Sequence, residues 1–205
     1  MENERRLFDM YCSDNDNRQA IQMPFRQDGK ICATDGHMMI RVDEKICEGE
    51  YYDTVNGLKP PTTSRVIPEP TIDVPLTIKM INKALGKAPE DKDRRCPECN
   101  GEGDVTWTYT DRLHNKHEMQ AQCPECDGTG ELYDYTAVKY QFNFLGCCLC
   151  YYHLKTLLKT MEILRADTLH CRYAQKHQAM LLTTDGVEII AMPQIQDDKL
   201  TQIKL

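Results

Sequence analysis

Four cysteines, set in two copies of one short motif, are the residues best placed to do chemistry. Residues 96–103 read Cys-Pro-Glu-Cys-Asn-Gly-Glu-Gly and residues 123–130 read Cys-Pro-Glu-Cys-Asp-Gly-Thr-Gly, an internal repeat of the form CxxCxGxG. Two thiolates separated by two residues can hold one metal ion from a tight turn. The glycines that follow release the backbone into conformations other side chains resist, so that amides point at the sulfurs. Two such turns complete a tetrahedral shell of four thiolates, which is the structural and not the catalytic arrangement. We therefore expect Cys96, Cys99, Cys123 and Cys126 to bind one structural zinc ion. A redox CxxC would not need duplication, and a disulfide pair would need an oxidising compartment.

The stretch between the motifs must position them. Val105, Trp107 and Tyr109 alternate with polar residues, as do Met119 and Ala121 on the way back, around a polar tip from Asp111 to His117. This pattern predicts a β-hairpin carrying the two turns at its base. Trp107 and Tyr109 are expected to stand exposed as contacts for a protein partner. Four cysteines already fill the shell, so His114 and His117 read as solvated.

The whole chain bounds the remaining classes. It has 205 residues, 40% hydrophobic and 28% charged, with a formal net charge of −7. That composition is an ordinary globular one, and the charge argues against a simple basic nucleic-acid binder. No apolar stretch reaches membrane-spanning length, and no apolar signal core follows Met-Glu-Asn-Glu-Arg-Arg. A cytoplasmic, reducing setting is the expectation. Of the eleven cysteines, Cys12, Cys32, Cys47, Cys147, Cys148, Cys150 and Cys171 lie mostly among apolar neighbours and read as small buried hydrophobes. No glycine loop, nucleophile–histidine pattern or other catalytic constellation emerges; His37 beside an Asp-Gly turn reads as structural. We expect no enzyme and no small-molecule substrate.

The metal module, residues 93–135, looks inserted into a domain made of residues 1–92 and 136–205. Residues 30–43 predict two strands joined at Asp35-Gly36, and residues 60–75 an extended link. A helix is predicted from about Pro75 to Lys87, capped by Asp73 and ended by Gly86, with Ile78, Ile81 and Leu85 on its apolar side. Ala137 to Phe144 alternates as a strand. A second helix is predicted over 147–164, with Leu154, Leu157, Leu158 and Met161 as its stripe and with Cys147 and Cys150 on one face. Strands are expected at 170–174, 179–183 and 187–192. Two similar halves, each a helix on antiparallel strands, make an α+β class.

Ala33-Thr34-Asp35-Gly36-His37 resembles a segment of the bacterial sliding clamp, the DNA polymerase III beta subunit. Tyr152, Leu154 and Leu157 are similar to the helix of a clamp's last half-domain, and Val187 to Pro193 to its closing strand with a Met-Pro end. The resemblance implies a single clamp-like domain where a clamp subunit has three, with the metal module foreign to the family and Met38 standing where arginine is common. It also implies duplex DNA or replication proteins as partners, a homo-oligomer if DNA is to be encircled, and helices facing the duplex. Lys79, Lys83 and Lys87 recur every four residues opposite Ile78, Ile81 and Leu85, and Lys155 with Lys159 does the same on the second helix. These are the expected DNA contacts; an ordinary solvated face is the alternative. The CxxCxGxG copies resemble half of the zinc domain of DnaJ-type co-chaperones, which implies a second reading as a polypeptide-binding adaptor.

Overall fold

The protein is described from a computed structural model that covers residues 2–14, 16–88, 92–134 and 139–205. In chain order the elements are α1 (Glu2–Asp9), β1 (Phe25–Gln27), β2 (Lys30–Thr34), β3 (Met38–Asp43), β4 (Val74–Thr77) and α2 (Ile78–Leu85). Then come β5 (Lys92–Arg95), β6 (Asp104–Thr110), β7 (Lys116–Gln122) and β8 (Glu131–Asp134). The chain closes with β9 (Tyr140–Phe144), β10 (Cys147–Cys150), α3 (Tyr151–Leu164), β11 (Thr168–Tyr173), β12 (Met180–Thr184), β13 (Val187–Ala191) and β14 (Thr201–Lys204). Two compact units result: Met1–Ala88 with Tyr140–Leu205, and Pro89–Lys139.

In the larger unit, seven antiparallel strands run in the order β1-β2-β3-β13-β12-β11-β4. The strands of the two halves thus meet in one sheet at the β3–β13 pair, where Ile40 stands opposite Ile189. Both hairpins turn where the sequence predicts, at Asp35-Gly36 and Asp185-Gly186. A smaller sheet has the order β10-β9-β14, with β14 running parallel to β9. Helices α2 and α3 pack on each other, and α1 packs on α3 and β2. Leu76, Ile81, Leu154, Leu157, Met161 and Leu169 are fully buried there. A hydrogen bond of 2.8 Å between the Tyr11 hydroxyl and Thr160 Oγ1 ties the segment after α1 to α3.

Two helix predictions need correcting. Pro75 does not open α2 but lies in β4, an edge strand, where the missing N–H costs no ladder bond. Asp73 is no cap, since its carboxylate takes His170 Nδ1 at 2.7 Å and Arg172 at 2.5 Å. The cap is Thr77, whose hydroxyl accepts from the Met80 amide. Cys147–Cys150 is likewise strand β10 and not the first turn of α3, so Cys147 and Cys150 share no helix face. Leu145 and Gly146 both take positive φ, 53° and 84°, in a two-residue turn that pairs Cys147 with Phe144. A leucine in that conformation is poorly signalled by sequence, because β-hairpin turns of this hand favour Asn, Asp and Gly. Cys147 and Cys148 are buried in that sheet, as expected of small hydrophobes. The strand predicted from Ala137 begins at Tyr140; Ala137 and Val138, and the module boundary at 135/136, lie outside the described residues.

Candidate functional site

The four cysteines come together. In the smaller unit, β5 pairs with β8 as a stem and β6 pairs with β7 as a hairpin, and the two CxxCxGxG turns lie between. The turns interlock as a pair. The Cys96 amide donates to the Gly130 carbonyl at 2.9 Å, and the Cys123 amide to the Gly103 carbonyl at 2.8 Å. The Gly103 amide donates to Cys99 Sγ and the Gly130 amide to Cys126 Sγ, each at 3.3 Å. Positive φ recurs at the same places, at Asn100, Gly101 and Gly103 and again at Asp127, Gly128 and Gly130.

All four sulfurs are buried, and they lie within 4.8 Å of one another. Cys96 and Cys123 are 3.8 Å apart at sulfur, Cys99 and Cys126 3.7 Å. A regular tetrahedron of zinc–sulfur bonds of about 2.3 Å has sulfur–sulfur edges of about 3.8 Å. The residues therefore fit a metal ion and are compatible with zinc. Burial pushes the Cys99 thiol up, but the Gly103 amide and the neighbouring sulfurs outweigh it and bring the group down to about 7. Cys123 is pushed up to about 12, first by burial. A bound cation would reverse that cost, because a ligating thiol is deprotonated outright.

The last glycine of each motif has no room for a side chain. A Cβ on Gly103 would lie 2.4 Å from the Gly128 carbonyl oxygen, and one on Gly130 would lie 2.5 Å from that of Gly101. Their φ values of 83° and 77° add the left-handed penalty of roughly 1–2 kcal/mol. Gly103→Ala and Gly130→Ala should each weaken metal retention by about a hundredfold, the equivalent of about 3 kcal/mol once a carbonyl must move. Competition against a chromophoric chelator measures this, and wild-type affinity in both variants would refute it.

The other predicted residues are distributed as follows. Trp107 and Tyr109 are exposed on one face of β6, opposite Met119 and His117 of β7. His117 Nε2 sits 3.1 Å from the Asp111 carboxylate at the hairpin tip, away from any role as a ligand. Lys79 and Lys83 are exposed on α2. Lys87 lies beyond the helix end, where its amide bonds the Ala84 carbonyl. Lys159 is exposed on α3, and Lys155 holds its ammonium 5.3 Å over the Tyr151 ring. Lys83 and Lys87 also line a cleft of about 280 Å³ with Lys204 of β14, a residue the sequence reading did not select.

A second feature escaped the sequence reading. An apolar pocket of about 300 Å³ opens beside the Asp35-Gly36 turn, lined by His37, Met39, Pro61, Val66, Ile190 and Met192 among others. Its rim is tied by a set of hydrogen bonds. The Asp35 carboxylate accepts the His37 and Met38 amides at 2.7 Å each, and Thr34 Oγ1 accepts the Gly36 amide and donates to the Met38 carbonyl. Arg18 donates to the Asp35 carbonyl at 2.7 Å, and the Met192 amide to the His37 carbonyl at 2.9 Å. The signal was present in the Asp-Gly-His turn and the Met-Pro end, but only the β3–β13 pairing brings them together.

No protein-family model matches the sequence, and no curated protein matches it. Solved structures do match. The DNA polymerase III beta subunit of Borrelia burgdorferi, in complex with a natural product, superposes with a TM-score of 0.53 at 9% identity, covering 96% of this chain and 61% of its own. The sliding clamp of Bartonella birtlesii bound to griselimycin gives 0.52 at 12%, covering 95% and 64%. The beta clamp of Helicobacter pylori bound to a DNA ligase peptide gives 0.50 at 8%, covering 95% and 63%. At these identities the likeness is one of fold: α+β and sliding-clamp-like. The chain spans less than two thirds of the length of each. Among the described residues, no helix is long and apolar enough to cross a membrane.

Proposed function

We propose that this protein is a non-enzymatic, DNA-associated factor of sliding-clamp type, serving replication or a mobile element in the cytoplasm. In this reading residues 93–135 are a DnaJ-like module, folded by one structural zinc ion and inserted between the clamp halves 1–92 and 136–205. The observation that carries it is the clamp-like fold over almost the whole chain, with lysines on two helices packed against each other. Lys79, Lys83, Lys87, Lys155 and Lys159 would meet duplex phosphates, which carry no sequence information and suit point charges. Encircling DNA would require a homo-oligomer. Reversing Lys79, Lys83 and Lys155 to glutamate should lower duplex affinity at least a hundredfold in a fluorescence-anisotropy titration at low salt; equal retention of wild type and variant would sink the assignment.

The pocket beside His37 supports a second role for the same protein. Its apolar lining and hydrogen-bonded rim suit the side chains of a short partner peptide, as the neighbour bound to a DNA ligase peptide suggests by analogy. Replication proteins are the partners this reading favours.

A further inference from the structure

The hairpin of the smaller unit presents a surface that the clamp reading leaves unused. Side chains alternate along β6 and β7, so Trp107 and Tyr109 share one face with their cross-strand partners Met119 and His117. Trp107 is 54% exposed, Tyr109 65% and Met119 65%. Three large side chains adjacent on one exposed face are an apolar surface of the kind that marks interaction sites.

The edges of this two-stranded sheet are open as well. Among the described residues β6 and β7 pair only with each other, and the register runs unbroken from Asp104↔Gln122 to Thr110↔Lys116. Exposed edges are usually blunted by proline, a bulge or lysine. Strand β7 carries Lys116, but β6 reads Asp-Val-Thr-Trp-Thr-Tyr-Thr and has none of these. Its β-branched and aromatic residues suit an added partner strand.

Charge decides what that partner is. Residues 92–134 hold ten acidic side chains against five basic ones. Glu98, Glu102, Asp104, Glu125 and Asp127 are exposed around the cysteine turns. Four thiolates around a divalent cation would add further negative charge. Such a field repels nucleic acid, despite the aromatic face, and attracts cations.

We propose that the β6 edge and the Trp107–Tyr109–Met119 face dock an extended, lysine- or arginine-rich polypeptide segment, which joins the hairpin as a third strand. Its apolar side chains cover the aromatic face while its cationic ones meet the carboxylates at the base. This inference concerns the smaller unit and does not rest on the lysines of α2 and α3.

The test uses the full-length, metal-loaded protein and a labelled peptide of about nine alternating valine and lysine residues, long enough to span the seven residues of β6. Binding should shift the emission of Trp107, the chain's only tryptophan, to the blue. By anisotropy of the labelled peptide, Trp107→Ala and Tyr109→Ala should each weaken binding about tenfold. Glu98→Lys combined with Glu125→Lys should do the same, with metal content unchanged as the check on folding. A valine–glutamate peptide and oligothymidine should not bind. Failure of the lysine peptide to bind overturns the proposal. So do tighter binding of oligothymidine, equal binding of the acidic peptide, or Trp107-dependent dimerisation in sedimentation.

Discussion

Removing the metal should unfold residues 92–134 and leave the rest of the chain folded. Among the described residues of this unit, the buried cluster is made by the four cysteines, with Val105 and Leu132 partly buried against them, while the faces of the hairpin are exposed. Among those described residues, that cluster is too small in apolar area to offset chain entropy alone. A structural zinc ion contributes roughly 10–16 kcal/mol in small metal-folded domains, comparable to or above the net stability of roughly 5–15 kcal/mol typical of a whole domain. The two units report separately, because among the described residues the three α-helices belong to the larger one. Excess chelator should therefore make the hairpin protease-sensitive and alter Trp107 fluorescence while the helical circular dichroism persists. Cys99→Ser should reproduce the effect without chelator. A hairpin still protected after chelation would contradict a structural role for a metal ion at these cysteines.

The second large effect is expected at Leu157, which is fully buried on α3, the helix that packs against both α1 and α2. Truncating it to alanine removes a side chain from a site with little room to collapse and should cost about 2–5 kcal/mol. Against the margin of a typical domain, that leaves a protein folded at low temperature but with a much lower urea midpoint. Leu158, its neighbour in sequence, is only half-buried, and Leu158→Ala should cost about 1 kcal/mol. The comparison bears on the proposed duplex contact, since α3 carries Lys155 and Lys159 and packs against α2, which carries Lys79 and Lys83. Equal urea midpoints for the two variants would contradict the packing of Leu157 between α3 and its neighbouring helices.

The contrast between Leu157 and Leu158 also marks how far the sequence could be read. Both fell in one predicted apolar stripe, because a 3.6-residue period allows a wide face and only the packed neighbours narrow it. The cysteine repeat and the two Asp-Gly hairpins were legible because each is a local motif whose geometry follows from a few residues. Strand β10 was not, since a Leu-Gly turn lacks the usual residues and Cys-Cys-Leu-Cys fits a buried strand or helix equally well. Helix α1, the short β1 and the late strand β14 carried too little pattern to be predicted. The pocket beside His37 was invisible for a different reason: its walls come from segments over 150 residues apart in sequence, joined by β3–β13 pairing that no local pattern specifies.

The salt dependence of duplex binding tests the central proposal most directly. If the five lysines of α2, α3 and the turn after α2 neutralise phosphates, the logarithm of the binding constant should fall linearly with the logarithm of salt concentration. The slope should be about −4 to −5, and it should drop by nearly three in the variant with Lys79, Lys83 and Lys155 reversed. A slope near zero, or no duplex binding even at low salt, would contradict a DNA-associated clamp and leave the fold without that use.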